Sequence, residues 1–369
     1  MKELGSENAP FPKCPRSLRS IAHIPHMSAA EKPVESDSSS VPADLPDGVT
    51  VEDAERITEL AEEDRRPSTR RVYLSKWGLF ESFCEERGAE PLPAGEELVA
   101  AYLSKRAEEV SLSTIRQDVA AIRWMHERHG ADDPTEGAGC QRVLDGINQT
   151  SGSTAEKKQA VLTRHVRAMV DALPLEEPGE GAGPAACATY LRALRDRALI
   201  LVGYAGAFRR AELASIEIED VSLNPDGMEI FVPKSKTEPR TVGVNFARNA
   251  DYCPVRTLKA WMDAAGIEDG PIFRGVPRSA EIAMGEDADP ITGKTVRNVL
   301  GDAAERCGLD RDAVAGHSLR RGHLTQGALN GAELNRLMKQ AGHADPRTTA
   351  GYVEDAKRME TNTSRDLGL

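Results

Sequence analysis

The stretch Gly316–Val353, GHSLRRGHLTQGALNGAELNRLMKQAGHADPRTTAGYV, decides the fold that the sequence predicts, because three helical patterns in it carry chemically active side chains. In the first pattern, His317 and Arg320 stand three residues apart, so a helix would place them on one face. The second pattern, LNRLMKQAGH, is amphipathic and ends at His343. Glycines separate the patterns, which predicts short turns between consecutive helices.

The third pattern starts at Asp345–Pro346, an N-cap acceptor followed by proline at the first helical position. This short helix carries Tyr352. Two imidazoles, one guanidinium and one phenol therefore come from consecutive helical segments. That set suits a phosphodiester, because the cation holds the phosphate, the imidazoles hydrogen-bond to its oxygens and the phenol attacks phosphorus.

The composition is that of a soluble globular protein: 369 residues, 40% hydrophobic and 29% charged, are enough for two domains of ordinary size. No window approaches the roughly 18 apolar residues that a membrane span requires. The N-terminus has no apolar signal core, so we expect a cytoplasmic protein without a membrane partner. Six scattered cysteines without a C-x-x-C pair favour free thiols over disulfides or a zinc site.

The formal charge of −12 at pH 7 is unusual for a nucleic-acid-binding protein. The acidic excess is uneven, since residues 51–150 hold 21 acidic and 13 basic residues, whereas residues 151–369 hold 31 and 29. The C-terminal part is therefore nearly neutral and can gather positive charge in one cleft. The net charge does not exclude DNA as a partner, but it predicts weak non-specific binding.

Four segments differ in composition. Residues 1–50 are rich in proline, serine and isolated charges, which predicts a disordered tail. Residues 51–147 contain four or five short amphipathic patterns, which predict a compact helical bundle. Residues 148–160, NQTSGSTAEKKQA, are typical of a flexible linker. Residues 161–369 form the second predicted domain.

The second domain has its predicted centre in RALRDRALILVGYAGAF, an almost entirely apolar helix that follows a loop, PLEEPGEGAGPAACA. Directly after this helix, Arg209 and Glu212 stand three apart, which predicts one helical face. IEIEDV and GMEIFVPKSKTEPRTVGV predict short strands with a hairpin, whose KSKT turn exposes Lys236. Two amphipathic helices, PVRTLKAWMDAAGI and TGKTVRNVLGDAAERCGL, follow.

Four motifs occur in a fixed order: G-A-F-R-R-A-E-L, K-S-K-T, G-H-S-L-R, and a G-H pair whose histidine precedes a tyrosine by nine residues. This set resembles the tyrosine recombinases, the family of the phage integrases and the Cre- and Xer-like site-specific recombinases. The resemblance covers roughly residues 65–355. It implies a mostly α fold with a small β-sheet or hairpin, in which a SAM-like, helical core DNA-binding domain precedes an α+β catalytic domain.

The resemblance implies a nucleophile and two phosphate-binding residues. Tyr352 would attack phosphorus and form a 3′-phosphotyrosyl link, and a phenol with an ordinary pKa near 10 needs nearby cations or a base to do so. Arg209 and Arg320 would hold the non-bridging oxygens, because a guanidinium stays protonated and offers a fork of donors.

The resemblance also implies the proton-transfer residues. His343 would donate to the same oxygens, and His317 would assist proton transfer, with Glu212 holding its tautomer. Lys236, rather than its neighbour Lys234, would protonate the leaving 5′ oxygen. Because the phosphotyrosyl link stores the bond energy, rejoining needs no ATP, no metal and no other cofactor.

The partner that the resemblance implies is double-stranded DNA with a short inverted-repeat site, on which four copies of the chain form a homotetramer. The last 17 residues are a candidate for packing onto a neighbouring protomer. Nine polar side chains are candidates for contact with DNA phosphates or bases. They are Arg70, Arg71, Lys76, Ser113, Arg116, Gln117, Arg123, Lys294 and Arg297.

Three other functions compete with recombination. A type IB topoisomerase-like enzyme uses a similar residue set but rejoins the same strand. A catalytically idle DNA-binding relative is a second alternative, against which the complete motif set argues. A metal hydrolase that uses His317, His323 and His343 is a third, but the carboxylates that such a site needs are not nearby in the sequence.

Overall fold

The computed structural model describes residues 50, 52–53, 56, 65–150, 160–233, 235, 238–314 and 316–357. These residues fall into two compact units, the first ending at residue 150 and the second starting at residue 160. Five predictions concern segments wholly or mostly outside the described residues. These segments are the N-terminal tail, the first amphipathic pattern of the predicted bundle (residues 51–64), most of the linker, Lys234 with Lys236, and residues 358–369.

The first unit has four α-helices within residues 65–150, as the amphipathic patterns predict. They are α1 (Pro67–Glu85), α2 (Glu96–Ala107), α3 (Leu112–Arg128) and α4 (Ala138–Thr150). Helix α1 starts on Pro67, whose missing N–H costs nothing at the first helical position. Helix α4 continues to Thr150, three residues beyond the predicted end of this domain.

An aromatic cluster forms the core of the first unit. Trp77, Phe80 and Phe83 recur along one face of α1 and are buried. Tyr102 of α2 meets Phe80 and Phe83 edge-on, with both pairs of ring centroids 5.2 Å apart. Edge-to-face contacts of this kind add about 1 kcal/mol to the free energy of unfolding beyond the buried area.

The first unit also contains a buried ionic group, here called the Asp118 cluster. Asp118, on α3, is 1% exposed, and its carboxylate lies 3.2 Å from Lys76 Nζ and 3.4 Å from Arg106 Nε. Arg106 also reaches Glu109, 3.1 Å away. Two cations therefore meet two carboxylates, and this cluster ties α1, α2 and α3 together.

The second unit has eight α-helices and one three-stranded sheet among its described residues. The helices are α5 (Thr163–Asp171), α6 (Pro184–Ala205), α7 (Arg210–Ala214), α8 (Pro254–Ala265), α9 (Gly293–Arg306), α10 (Ser318–Leu329), α11 (Leu334–Ala341) and α12 (Pro346–Lys357). The strands are β1 (Val221–Asn224), β2 (Gly227–Val232) and β3 (Arg240–Asn245). The mostly α fold with a small sheet is thus confirmed.

Helix α6 is the buried centre of the second unit, as its apolar sequence predicts. Leu199, Ile200 and Val202 have no exposed surface. The helix begins at Pro184, so the PAACA end of the predicted loop is helical. Proline at the first helical position explains this earlier start, because it is compatible with a helix there and only there.

The sheet is antiparallel, in the order β1-β2-β3, and its inner face carries alternating apolar residues. Ile230 of β2 pairs with Val242 of β3, and both are buried. The prediction of a strand at IEIEDV is wrong for most of that segment, since Ile218–Asp220 form a 3-10 turn before β1. The Asp220 carboxylate accepts from the Glu217 N–H at 3.2 Å, which favours a turn over a strand.

The chain that enters the second unit crosses α10 closely. The Val161 N–H donates to the Ser318 carbonyl at 3.3 Å, and the Thr163 N–H donates to Gln326 at 3.3 Å. Between these bonds, a Cβ on Gly322 would lie only 1.9 Å from the Val161 carbonyl oxygen. Glycine is therefore required where the two backbones meet, and the crossing fixes α10.

Candidate active site

A sharp turn after α6 presents Arg209. Ala207 has a φ of 51°, a left-handed conformation that is costly for a residue other than glycine. Arg209 then forms the N-cap of α7, and Glu212 reaches back to accept from the Arg209 N–H at 2.9 Å and from Arg209 Nη1 at 2.6 Å. The prediction that both residues lie on one helical face is corrected, because Arg209 precedes the helix and Glu212 caps it.

Arg240 is a site residue that the sequence did not reveal. It is the first residue of β3, and its guanidinium donates two hydrogen bonds to the Glu212 carboxylate. Nη1 lies 3.0 Å from Oε1 and Nη2 lies 2.8 Å from Oε2. The buried Ser235 hydroxyl joins the group, 3.2 Å from Glu212 and 2.9 Å from Arg240. Arg209, Glu212, Ser235 and Arg240 form what is here called the Glu212 cluster.

The Glu212 carboxylate remains ionised in this cluster. Burial favours the neutral acid, but hydrogen bonds from Arg240 and Arg209 outweigh burial and lower the pKa of Glu212 to about 2. The carboxylate is therefore negatively charged in the folded protein at pH values well above 2, including neutral pH. It neutralises one of the two guanidiniums that bind it.

Arg320 adds another cation beside the cluster. It is 5% exposed, and Nη1 donates to the Ala207 carbonyl at 2.8 Å. Nη2 is buried and has no hydrogen-bond partner among the described residues. Burial, followed by repulsion from Arg209, lowers the pKa of Arg320 to about 10, so it stays charged at neutral pH. An unfilled, buried cationic donor is suited to an anionic ligand.

His343 follows the turn that ends α11. Gly342 there has a φ of 63°, and its carbonyl accepts from Arg209 Nη2 at 3.1 Å. His343 Nδ1 lies 2.8 Å from the Thr349 hydroxyl. Burial, then repulsion from the arginines, lowers the pKa of His343 to about 4, so the ring is neutral at pH 7 and can donate one hydrogen bond.

Tyr352 lies on α12, beside His343. The two rings are nearly parallel, with an interplanar angle of 15° and centroids 6.2 Å apart. The Arg321 guanidinium carbon lies 5.9 Å from the centroid of the Tyr352 ring. The start of α12 follows the prediction, since the Asp345 carboxylate accepts from the Arg347 N–H at 2.9 Å.

His317 is exposed and occupies the N-cap of α10, with Arg320 in the first turn of that helix. The prediction that both lie on one helical face is therefore corrected in the same way as for Arg209. The described contacts of Glu212 are with Arg209, Arg240 and Ser235, so its support of the His317 tautomer stays a prediction.

The sequence of this chain is similar to sequences of known proteins. Residues 185–359 match the phage integrase family model. The integrase/recombinase xerD homolog of Selenomonas ruminantium is 29% identical over 323 residues, which cover 85% of this chain and 90% of that protein. The recombinase cre of Escherichia phage P1 is 22% identical over 299 residues, or 78% and 84% of the two chains. The C-terminal part of the chain, residues 185–359, therefore matches the phage integrase family, and the two recombinase relatives are similar over most of its length.

Solved structures share the fold of this protein. One is the XerH site-specific recombinase bound to its palindromic difH substrate in a post-cleavage complex, with a TM-score of 0.55 and 17% identity over 79% of this chain and 77% of that one. Another is the Tn1549 transposon integrase with transposon right end DNA, with a TM-score of 0.54 and 13% identity over 86% and 98%. The family that the motifs predict is confirmed, and so is its fold.

Lys236 is the lysine that we expect to protonate the leaving 5′ oxygen. It lies in the sequence between β2 and β3, outside the described residues. The residue that precedes it, Ser235, belongs to the Glu212 cluster and accepts from Arg209 at 3.1 Å. In sequence, Lys236 is thus one residue from the cluster. Its role stays a prediction.

Two of the predicted DNA-contacting side chains are bound to carboxylates of the same unit. Lys76 belongs to the Asp118 cluster, and Arg123 lies 2.5 Å from Asp133. Arg116 contacts Asn148 at 3.2 Å. The remaining candidates are half-buried or exposed on α1, α3 and α9. They are Arg70, Arg71, Ser113, Gln117, Lys294 and Arg297.

A groove of about 450 Å³ in the first unit is lined by both Arg116 and Arg123. Arg65, Tyr73 and Trp124 also line it. The sequence did not reveal Arg65 and Tyr73 as members of this group. No sequence signal marks them, because a basic residue and a tyrosine at these positions are equally typical of an ordinary helix surface.

The described residues contain no group of three or more histidine, cysteine, aspartate or glutamate side chains arranged to hold a metal ion. Of the histidines in the metal-hydrolase alternative, His323 is bound to the Tyr204 carbonyl at 2.9 Å and His343 to Thr349. No helix in the described part of the chain is long and apolar enough to cross a membrane.

Proposed function

We propose that this chain is a site-specific DNA recombinase that breaks and rejoins DNA strands through covalent attachment to Tyr352. The observation that supports this most strongly is the uncompensated positive charge around a neutral imidazole. Arg209, Arg240 and Arg320 all lower the pKa of His343 by repulsion, after burial. Glu212 is the carboxylate that the described contacts place among them. A phosphodiester supplies the missing negative charge.

The phosphate is expected to bind where donors are still available. Arg320 Nη2 is buried and has no hydrogen-bond partner among the described residues. Arg209, whose terminal nitrogens donate to Glu212, Ser235 and Gly342, adds positive charge close to Arg320. In the transition state, negative charge grows on the two non-bridging oxygens, and preorganised cations stabilise it more than they stabilise the bound substrate. His343, neutral and fixed by Thr349, donates to the same oxygens.

The chemistry balances without an added cofactor. The Tyr352 oxygen attacks phosphorus, the bond from phosphorus to the 5′ oxygen breaks, and the phenolic proton leaves through His317. Lys236 gives a proton to the departing 5′ oxygen. The product is a 3′-phosphotyrosyl link and a free 5′ hydroxyl. Attack by a 5′ hydroxyl from a partner strand reverses each step and yields the recombinant strand.

We expect the partner to be double-stranded DNA. We expect the protein to bind it in the cytoplasm. Two similar structures support DNA as the partner, since one is a recombinase bound to a palindromic substrate and the other is an integrase bound to transposon-end DNA. We infer a short inverted-repeat site, bound by two copies of the chain. One chain contributes one Tyr352 and strand exchange involves four strands, so the active assembly is a homotetramer on two sites.

The test begins with covalent capture, because the target site is not given by the sequence. Purified protein is incubated with sheared DNA from the region around its own coding sequence, and the covalently attached fragments are sequenced. We expect the wild-type chain to enrich a short site with inverted symmetry, and Tyr352→Phe to enrich nothing.

A second step separates recombination from strand relaxation. Two copies of the captured site on one plasmid should give inverted or excised products, and a supercoiled plasmid without the site should stay supercoiled. Relaxation without exchange would favour a topoisomerase-like activity. DNA binding without any covalent product would favour a catalytically idle relative.

A further inference from the structure

Arg240 stands where three parts of the candidate site meet. It is the first residue of β3, and its side chain is 11% exposed. Its guanidinium binds both oxygens of Glu212, on α7, and the hydroxyl of Ser235, from the hairpin turn. A salt bridge with two parallel hydrogen bonds fixes the carboxylate plane as well as its position.

The third part is the turn between α11 and α12. A Cβ on Gly342 would lie 2.7 Å from Arg240 Cδ and 2.8 Å from Arg240 Nε, so the arginine packs directly against the Gly342 backbone. The Gly342 carbonyl is bound by Arg209, and His343 is the next residue. Arg240 therefore supports the turn that presents His343 from one side, while Arg209 holds it from another.

The contacts of Arg240 differ from those of Arg320. Both of its terminal nitrogens already donate to Glu212, and one also donates to Ser235. Its Nε is buried. Arg320, by contrast, has a terminal nitrogen without a partner among the described residues. The fork of Arg240 is directed at the carboxylate that holds Arg209, and not at a vacant position.

We propose that Arg240 is a positioning residue: it fixes Glu212, which in turn fixes the guanidinium of Arg209, and it braces the Gly342 turn that carries His343. This rests on the proposed function, since its effect is measured on formation of the phosphotyrosyl link. Arg240 does not touch the phosphate itself.

The first experiment is a double-mutant cycle on the rate of covalent-adduct formation with a nicked duplex. Arg240→Lys keeps the charge but cannot form two parallel hydrogen bonds, and we expect it to slow the reaction by about 100-fold, as a misplaced catalytic group does. Glu212→Gln should be similarly slow. The double variant should be no slower than Glu212→Gln alone, within about twofold, because both changes break the same connection.

The second readout is one that a merely structural role would not change. A methylphosphonate at the cleaved position removes one non-bridging charge and so lowers the demand on Arg209. If Arg240 acts through Arg209, the defect of Arg240→Lys should shrink on this substrate in parallel with the defect of Arg209→Lys. Arg256→Lys, on the exposed surface of α8, is the matched control and should behave as wild type on both substrates.

Three results would overturn the inference. They are full activity of Arg240→Lys, effects of Arg240→Lys and Glu212→Gln that multiply, or an Arg240→Lys defect that is equal on both substrates while that of Arg209→Lys shrinks. Thermal melting and DNA mobility shifts of each variant confirm folding. If the wild-type chain itself forms no adduct, the proposed function fails instead, so the two failures are distinguishable.

Discussion

The two units of this chain each bury a carboxylate among cations, and the two clusters differ in their charge balance. In the Asp118 cluster, two cations meet two carboxylates, and Lys76 and Arg106 both bind Asp118 directly. In the Glu212 cluster, two guanidiniums bind one carboxylate, and Arg320 adds a third positive charge nearby. A balanced cluster joins helices. A half-buried cluster with more positive than negative charges is suited to bind an anion from outside the protein, because the anion supplies the missing negative charge.

The largest effect is expected from removing the excess positive charge. Arg209→Ala and Arg320→Ala should each lower the rate of DNA cleavage by about 100- to 1,000-fold, the usual result of losing one donor to a transition-state oxyanion. The measurement is adduct formation on a nicked duplex. Arg256→Ala is the control, because Arg256 lies over the Phe246 ring on the surface of the same unit.

Cleavage of a second substrate should distinguish the role of Lys236 from the roles of Arg209 and Arg320. A 5′-bridging phosphorothiolate has a sulfur leaving group that needs no proton, so it should restore cleavage by Lys236→Ala. It should not restore Arg209→Ala or Arg320→Ala, which lack charge stabilisation at phosphorus. Equal rescue of the lysine and arginine variants would contradict this division of roles.

The balanced cluster should affect stability and not chemistry. Asp118→Ala leaves the half-buried Lys76 and Arg106 without their shared counter-charge, and it should destabilise the first unit by about 3 kcal/mol. Hydrogen exchange of peptides from residues 65–150 measures this in the full chain. Glu86→Ala is a useful control, because Glu86 and its partner Lys105 are 65% and 51% exposed and the pair should contribute about 1 kcal/mol or less.

The pH dependence of stability should also differ between the units. The pKa of His343 is lowered from 6.5 to about 4, first by burial, so between these values the unfolded chain binds a proton that the folded chain does not. The free energy of unfolding of the second unit should therefore fall as the pH drops from 6.5 to 4. His323, whose pKa is also lowered by burial, contributes in the same direction.

Hydrogen exchange at several pH values tests this dependence. His343→Gln should flatten the decline in the second unit between pH 6.5 and 4, and peptides of the first unit report any change common to the whole chain. Below pH 4.5, protonation of Glu212 adds a further loss, because its pKa is about 2 in the folded chain and 4.5 in the unfolded one. A decline that His343→Gln leaves unchanged would contradict the assigned cause.

The smallest effect is expected from free anions. Pyrophosphate should occupy the unbalanced site weakly and stabilise the second unit by less than about 1 kcal/mol at concentrations near its dissociation constant. The first unit, with its balanced cluster, should not respond. Arg320→Met removes the unfilled donor and should abolish the response, whereas equal stabilisation of both units would indicate a general salt effect.

Local patterns predicted the helices and the buried centre of the second unit well. Helix α6 is recognisable because it is apolar on all sides, and Asp345–Pro346 because an N-cap followed by proline has a local cause. Arg240 was missed because its partner, Glu212, is 28 residues away in the sequence. A single arginine at the start of a strand is indistinguishable from a solvated strand end.

Charged residues on helices were the least predictable. Lys76 and Arg123 were expected to contact DNA, but each has an acidic partner that only the packing of neighbouring segments reveals. The positions of Arg209 and His317 as N-caps were also missed. A spacing of three residues does not distinguish two positions within a helix from a cap and the first turn.

The most direct test of the central claim is the identity of the residue that becomes attached to DNA. Wild-type protein is incubated with a nicked duplex of its captured site in excess EDTA, and the adduct is digested and mapped by mass spectrometry. We predict a 3′-phosphotyrosyl adduct on Tyr352, in undiminished yield, and none with Tyr352→Phe despite normal DNA binding. An adduct on another residue, loss of the adduct in EDTA, or an active Tyr352→Phe protein would contradict the account.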